Sequence, residues 1–209
     1  MKNILCFGDS NTYGLIADGS GRYDEKIRFP MVLQSLLGSN YHIIEEGCPG
    51  RTTIFKDPTR PYLKATEYLF PCLYSHMPLD LIIVMLGTND CKTIFNANAK
   101  KISDGLKQVI NLIKEYTFNE VDILIVSPPC LGDKIYLDEY DPDYSDIKNL
   151  ETAKELPLYY EKLAQEENCY FLNASKYVVV SEIDQEHMDK DNHYILAKEL
   201  FQKVKEIIG

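Results

Sequence analysis

Long hydrophobic runs are missing from this sequence of 209 residues. The longest apolar stretch, residues 79–86, is interrupted by Asp80 and is far shorter than the roughly 20 residues that a membrane-spanning helix needs. The N-terminus enters an apolar run at Ile4 without the long apolar segment that is typical of a secretory signal. We therefore expect no membrane partner and a cytoplasmic location.

Positive charge is also scarce. The chain has 22 Lys and Arg against 32 Asp and Glu, which gives a formal net charge of −10. The basic residues form no cluster, and a surface with excess negative charge repels phosphate backbones. This composition argues against nucleic acid and against an anionic bilayer as partners. The need for a soluble surface is enough to explain the excess of negative charge.

Several common motifs are absent. The six cysteines form no C-x-x-C pair, which argues against a zinc knuckle or a redox dithiol. Because Cys6 and Cys169 lie in apolar runs, we expect free buried thiols in a reducing compartment. There is no G-x-x-x-x-G-K-[ST] loop for phosphoryl transfer and no G-x-S-x-G elbow of an α/β-hydrolase.

The apolar residues that are present alternate between two patterns. Short apolar runs predict strands at residues 4–7, 42–45, 81–86, 123–126 and 170–172. Amphipathic spacing predicts helices at residues 29–37, 63–74, 102–113, 150–166 and 195–207. Asn98 and Ser103 are alternative caps for the third of these helices, and the fourth must accommodate Pro157. The alternation predicts an α/β fold with a parallel sheet that is covered on both faces, in one domain over residues 1–209.

One segment, residues 131–149, departs from this alternation. It carries Tyr136, Tyr140 and Tyr144 among several acidic residues and has no clear period. A loop of about this length inside a compact domain is usually functional or disordered. A solvated surface flap would explain the composition equally well.

Polar, glycine-rich turns follow the predicted strands. In an open parallel sheet, ligands bind outside the carboxyl ends of the strands, so these turns are candidates for a site. The turn after the first strand contains Ser10, a candidate nucleophile. Gly8 allows a sharp exit from the strand, and a short helix over residues 11–14 would aim the backbone N–H of the serine at an oxyanion. Taken alone, this turn is also typical of an ordinary helix cap.

A serine nucleophile needs a base, and the sequence has four histidines. His42 lies in a predicted strand, His76 at the end of a helix, and His193 within the last helix. Only His187 has a carboxylate, Asp184, three residues upstream, where the two side chains can meet across one turn. An exposed ion pair is the alternative explanation of this spacing.

Two further residues are candidate oxyanion donors. Asn89 offers a side-chain amide at the end of the third strand, and Gly50 offers an N–H that no side chain blocks. Each is also explained by a turn. The four elements together, all at strand ends, are harder to explain by chance.

The combination of Gly8-Asp9-Ser10, Gly50, the block at residues 87–90 and Asp184-x-x-His187 resembles the four blocks of the SGNH (GDSL) hydrolases. Residues 45–53, 57–59 and 78–81 are similar to its arylesterase and acyltransferase-like branch. The resemblance implies a flavodoxin-like three-layer α/β/α sandwich with a five-stranded parallel sheet, and no metal or organic cofactor. It implies Ser10, His187 and Asp184 as catalytic residues, and Ser10 N–H, Gly50 N–H and Asn89 as the oxyanion hole. The branch also hints at a homo-oligomer.

The sequence departs from the family pattern at few places. Asn11 follows the nucleophile where the family has leucine, and we interpret this as a substitution that leaves the machinery intact. His193 is interpreted as a helix-packing residue rather than a second base. Cys91 follows the Asn89-Asp90 pair, and we expect it to pack in the core.

These residues predict a serine esterase that acts on small carboxylic esters, with acetyl, short-acyl or aryl groups. Three alternatives stay open. The acyl group could pass to an alcohol instead of water, or the substrate could be an O-acetylated sugar that stacks on Tyr136, Tyr140 and Tyr144. The chain could also be a catalytically silent binding protein on the same fold.

Overall fold

In the computed structural model, which describes residues 1–209, five strands form one parallel sheet in the order β2-β1-β3-β4-β5. The strands are β1 (Lys2–Gly8), β2 (Tyr41–Gly47), β3 (Leu81–Met85), β4 (Asp122–Ser127) and β5 (Tyr170–Asn173). Each predicted apolar run forms a strand whose ends lie within two residues of the prediction. The order is that of flavodoxin-like sheets.

Six α-helices connect and cover the strands. They are α1 (Ser10–Tyr13), α2 (Phe29–Leu37), α3 (Ala65–His76), α4 (Ala99–Tyr116), α5 (Ile147–Glu166) and α6 (Lys190–Ile208). Helices α3, α4 and α5 share one hydrophobic core, and α2 and α6 share the other. The result is the expected three-layer α/β/α sandwich. None of the helices is both long and apolar enough to cross a bilayer.

The two cores explain the nearly continuous apolar runs in the strands. In β1, Leu5 and Phe7 face the core under α3, α4 and α5, whereas Ile4 and Cys6 face the core under α2 and α6. Because successive strand residues point to opposite faces, a strand covered on both faces needs apolar residues at every position. Burial on both faces therefore explains why these runs do not alternate between apolar and polar residues.

Capping side chains set the starts of the two long central helices. Asn98 caps α4, since its side chain accepts from the backbone N–H of Lys101 at 3.0 Å, and Ser103 lies inside the helix. Helix α5 begins three residues before its predicted start, because Asp146 and Asn149 form a reciprocal capping box. The helix continues through Pro157.

The segment predicted as a loop over residues 131–149 is ordered by contacts with the core. It contains a 3₁₀ turn, Pro142–Tyr144, and Tyr144 is fully buried. The Tyr144 hydroxyl lies 3.2 Å from the carbonyl oxygen of Thr88 and 3.0 Å from Glu186 Oε1. Tyr144 is therefore not available for the sugar stacking that the O-acetylated-sugar alternative suggested. Tyr136 and Tyr140 are half-buried against the same core.

All six cysteines are free thiols. Cys6, Cys72 and Cys91 are buried, and the remaining three are half-buried. The expectation of a buried strand thiol is correct for Cys6 and wrong for Cys169, which immediately precedes β5 and is half-buried.

Candidate active site

The predicted site residues meet at the carboxyl edge of the sheet. Ser10 follows β1, which lies between β2 and β3, so the turns that follow these three strands are neighbours. Beside β1, the connection to β2 and the connection to β3 run to opposite sides of the sheet. In α/β folds such a point forms a crevice at the carboxyl ends of the strands. The segment after β5, which carries Asp184 and His187, returns to the same crevice.

Ser10 begins helix α1, one residue earlier than the predicted helix. Asp9 caps the helix, because its Oδ1 accepts from the backbone N–H of Asn11 at 3.0 Å. Close packing requires glycine at position 8, because a Cβ there would collide with the side chain of Thr12 and with the carbonyl oxygen of Met85. Only glycine therefore allows α1 to lie this close to the strand ends.

Ser10, His187 and Asp184 form one chain of hydrogen bonds. His187 Nε2 lies 2.9 Å from Ser10 Oγ, and His187 Nδ1 lies 2.5 Å from Asp184 Oδ2. The other carboxylate oxygen of Asp184 accepts from the backbone N–H groups of Glu186 and His187, each at 3.0 Å. A carboxylate that accepts from Nδ1–H leaves Nε2 free to accept the serine proton.

The surroundings of His187 favour its protonated form. Burial lowers the pKa of the imidazolium, but the hydrogen bond to Asp184 and the negative charges of Glu186 and Asp9 raise it by more. The pKa of His187 therefore lies above its ordinary value of 6.5. A base with a raised pKa accepts a proton more readily and is neutral only at correspondingly higher pH.

The two predicted oxyanion donors lie on neighbouring turns. Asn89 is buried, and its Nδ2 donates to the carbonyl oxygen of Arg51 at 3.3 Å, which links it to the turn that holds Gly50. Gly50 has a φ of +83°, and a Cβ there would lie 2.8 Å from Leu63 Cδ1 and 3.0 Å from Arg60 Nη1. The backbone angle therefore favours glycine, and any larger residue would also have to displace the ends of these two flexible side chains.

Residues that were not predicted as part of the site hold these turns together. The carboxylate of Asp90 accepts from the N–H of Thr53 at 2.9 Å and from its hydroxyl at 2.5 Å. The guanidinium of Arg51 donates to the carbonyl oxygen of Gly8 at 2.9 Å and stacks on the ring of Phe7. Burial raises the pKa of Asp90 to about 6, although the bonds from Thr53 oppose this. Asp90 and Arg51 both lie in the stretches of sequence that resemble the family, but no role was predicted for either.

Asn11 connects the nucleophile helix to the segment that carries the base. Its Nδ2 donates to the carbonyl oxygen of Glu186 at 3.2 Å, and its Oδ1 accepts from the backbone N–H of Met188 at 2.9 Å. These two backbone groups flank His187 on either side. The departure from the family's leucine is therefore more than a neutral substitution, because a hydrogen-bonding side chain is buried here.

The segment after β4 holds the two residues that precede His187. The carbonyl oxygen of Gln185 accepts from the N–H of Gly132 at 2.8 Å, and its side-chain Oε1 accepts from the N–H of Lys134 at 3.1 Å. Glu186 is bonded to Tyr144, as described above. No sequence pattern predicted these contacts, because they join residues about 40–50 positions apart.

His193 and Cys91 lie where packing roles predict them. His193 is fully buried, its Nδ1 accepts from the N–H of Phe29 at 3.3 Å, and burial lowers its pKa to about 4. Cys91 is buried in the core under α3, α4 and α5. Neither side chain has a hydrogen bond to Ser10 or His187.

A sequence model of the GDSL-like lipase/acylhydrolase family matches residues 6–195. The chain belongs to this family. Its fold is similar to the native aryl esterase of M. smegmatis, with 32% identity, full coverage of both chains and a TM-score of 0.91. It is equally similar to Est24, a carbohydrate acetylesterase from Sinorhizobium meliloti, with 31% identity, full coverage of both chains and a TM-score of 0.91.

The fold also occurs in a solved structure of much lower sequence identity. A lipase/acylhydrolase from Enterococcus faecalis has 16% identity and a TM-score of 0.69 over 99% of this chain and 96% of that chain, and it supports the fold alone. No curated protein sequence matches the chain. The family, the SGNH-type α/β fold and general esterase-type hydrolase chemistry are thereby confirmed.

Proposed function

We propose that the protein is a serine esterase that hydrolyses small carboxylic esters through an acyl-enzyme on Ser10. The observation that carries the proposal is the hydrogen-bonded chain from Ser10 Oγ through His187 to Asp184. Family membership supports hydrolase chemistry, and the similar aryl esterase and acetylesterase structures support ester substrates. The near-complete burial of Ser10 and His187 favours small acyl groups.

In the first half of the proposed reaction, Ser10 Oγ attacks the ester carbonyl carbon while its proton passes to His187 Nε2. Asp184 holds the imidazole in place and stabilises the cation that forms. The carbonyl oxygen becomes an oxyanion, which would accept from the N–H groups of Ser10 and Gly50 and from Asn89 Nδ2. The N-terminus of α1 adds a small positive potential at the same position.

In the second half, the tetrahedral intermediate collapses and the carbon–oxygen bond to the alcohol breaks. His187 gives its proton to the departing alkoxide and becomes neutral again. Water then attacks the acyl-enzyme with His187 as base, and the carboxylic acid leaves with Ser10 regenerated. The cycle needs no group beyond the side chains named and one water.

Ser10→Ala tests this proposal directly. We expect kcat for p-nitrophenyl acetate to fall by roughly 10⁴-fold or more, as for other triad nucleophiles. A fluorophosphonate probe should label the wild type and Ser20→Ala, a control at an exposed loop serine, but not Ser10→Ala. Full activity of Ser10→Ala would overturn the mechanism, and an unlabelled, inactive wild type would favour a binding protein.

A second candidate substrate is an O-acetylated sugar, and the similar carbohydrate acetylesterase from S. meliloti supports it. The buried position of Tyr144 removes one of the three tyrosines that would have stacked on a sugar ring. A panel of p-nitrophenyl esters of increasing acyl length, run beside acetylated oligosaccharides, separates the two candidates. Adding a primary alcohol to the same assay detects acyl transfer, because the alcohol ester then appears beside the free acid.

A further inference from the structure

Three side chains of different chemistry converge where β2 ends beside helix α3. Glu46 lies near the end of β2, and Cys72 and His76 lie on α3. One carboxylate oxygen, the thiol sulfur and one imidazole nitrogen all lie within 4.8 Å of one another. None of the three residues belongs to the candidate catalytic set, and the proposed reaction does not use them.

The local structure explains why the three groups meet. Cys72 and His76 are four residues apart on α3, so they lie on the same face of the helix one turn apart. Glu46 reaches this face from the sheet, with its Oε1 only 2.8 Å from His76 Nε2. The Tyr68 hydroxyl, one turn earlier on the same helix, lies 3.4 Å from the same carboxylate oxygen.

We propose that Glu46, Cys72 and His76 form a binding site for a divalent ion of the zinc class. Thiolate, imidazole and carboxylate are the three ligand types that zinc binds in proteins, usually in a tetrahedral arrangement. Three protein ligands leave the fourth position to water. The thiol selects a borderline-soft ion over Mg²⁺ or Ca²⁺, which prefer oxygen ligands alone.

Binding an ion needs only small movements of the three ligand atoms. Ligand atoms around a tetrahedral zinc ion are about 3.5 Å apart, given bond lengths of roughly 2.0–2.3 Å. The Glu46 and His76 atoms, which are 2.8 Å apart, must separate by about 0.5 Å as the ion replaces the hydrogen bond between them, and the sulfur, within 4.8 Å of both, must approach by up to about 1 Å. Helix side chains make such movements by small rotations about χ1 and χ2.

Access and charge are also compatible with an ion. Cys72 is buried, whereas Glu46 and His76 are half-exposed, so the ion can enter from solvent and meet the sulfur last. On binding, the Cys72 thiol releases its proton to solvent as the sulfur–metal bond forms. The thiolate and the carboxylate then balance the double positive charge.

The Arg51 guanidinium is the one cation that acts against binding. It lies near the Glu46 carboxylate and would repel an ion bound there, and it is held in place by the carbonyl oxygens of Gly8 and Glu46. Its repulsion weakens the site relative to a structural zinc centre with four protein ligands. We therefore expect reversible binding in solution rather than a permanently retained ion.

The test uses the purified full-length chain, freed of metal with a chelator and titrated with Co²⁺ and then Zn²⁺. We expect one Co²⁺ per chain, with the visible bands of a tetrahedral ion and a thiolate charge-transfer band in the near ultraviolet, both lost when Zn²⁺ displaces Co²⁺. His76→Ala and Glu46→Gln should each weaken binding by at least 10-fold. Cys72→Ser should remove the thiolate band.

Matched controls come from the same chain. His42→Ala replaces an exposed histidine on β2, and Cys169→Ser replaces a half-buried cysteine before β5, so both should bind like the wild type. Absence of the bands in the wild type, or equal binding by His76→Ala and His42→Ala, would overturn the proposal. If Cys72→Ser does not fold, the comparison of the two histidine variants decides.

Discussion

Asn89 is the only side chain among the proposed oxyanion donors, so its contribution can be removed without touching the backbone. Asn89→Ala deletes the Nδ2 donor, and we expect kcat to fall by about 10²–10³-fold with little change in KM, the usual cost of one oxyanion donor. Steady-state kinetics with p-nitrophenyl acetate measures this. Asn40→Ala, at an exposed position before β2, is the control. A loss confined to KM would place Asn89 in substrate binding instead.

Glu186 is the residue through which the pH dependence of the site can be tested. Its carboxylate is buried, and its negative charge helps to raise the pKa of His187. Because the base must be neutral to accept the serine proton, kcat/KM should rise with pH along a limb whose midpoint lies above 6.5. Glu186→Gln removes an anion that stabilises the imidazolium, so the pKa falls and the limb moves to lower pH.

The glutamine is nearly isosteric and keeps an oxygen that can accept from Tyr144. Glu182→Gln makes the same change at an exposed position four residues earlier and should leave the profile in place. The pH dependence of kcat/KM for the three proteins is the measurement. A limb that stays in place in Glu186→Gln, or moves to higher pH, would contradict the assigned electrostatics.

Among the secondary-structure elements, α1 and the segment after β5 must keep a fixed distance, because one carries the nucleophile and the other the base. Besides the hydrogen bond between Ser10 and His187, the Asn11 carboxamide links the two elements directly, with hydrogen bonds on both sides of His187. Asn11→Leu restores the family's common residue but removes both bonds. We expect kcat to fall by roughly 10–100-fold with a smaller change in KM, since a small displacement of the base weakens proton transfer.

A purely structural role of Asn11 would give a different result. In that case Asn11→Leu would lower the melting temperature while kcat and the rate of fluorophosphonate labelling at Ser10 stayed unchanged. Asn11→Asp keeps the acceptor for the Met188 N–H but replaces the donor to the Glu186 carbonyl oxygen with a negatively charged oxygen, so it should recover at most part of the activity. Kinetics and thermal unfolding of both variants separate the two roles.

The elements differ in how far the sequence could predict them. The central strands β1, β3 and β4 were predictable because each is covered on both faces and is therefore largely apolar, whereas the edge strands β2 and β5 include exposed positions such as His42 and Tyr170. The start of α5 was misplaced because it depends on a capping box between Asp146 and Asn149, polar residues within a stretch without clear periodicity. Tyr144 was misassigned because its partner Glu186 is distant in sequence.

The site residues divide in the same way. Ser10 and Asn89 lie in turns that follow β1 and β3, and the Asp-x-x-His pattern marked His187, so pattern and resemblance were sufficient to propose all three. Asn11, Asp90 and Arg51 act by fixing backbone groups of distant segments. That function depends on which backbones become neighbours, and no local spacing encodes it.

Across the whole molecule, the excess of acidic residues is mostly exposed, but three carboxylates are buried at the candidate site. They belong to Asp9, Asp90 and Glu186, and burial raises the pKa of each of them. Burying an ionised carboxylate is unfavourable unless it is fully paired, and Asp9 Oδ2 has no partner. The site therefore lowers the stability of the folded chain, as is common where function requires buried charge.

The destabilisation caused by burying the Asp9 carboxylate should be measurable in the pH dependence of the free energy of unfolding. Burial raises the pKa of Asp9 from 3.8 to about 7, so between these values the folded chain holds a proton that the unfolded chain has lost. Stability must then fall as the pH rises through this window, with the full penalty present above pH 7. Asp9→Asn cannot ionise and keeps a side-chain oxygen for the cap of α1, so it should lack this fall.

Urea unfolding at pH 5 and at pH 8 measures the difference. We expect the free energy of unfolding of Asp9→Asn to exceed that of the wild type by roughly 1–4 kcal/mol at pH 8, and the gap to shrink towards pH 5 as the wild-type carboxylate takes up its proton. Asp122→Asn, at an exposed position on β4, should follow the wild type at both values. Equal stability of Asp9→Asn and wild type at pH 8 would mean that Asp9 is not the unpaired buried acid inferred here.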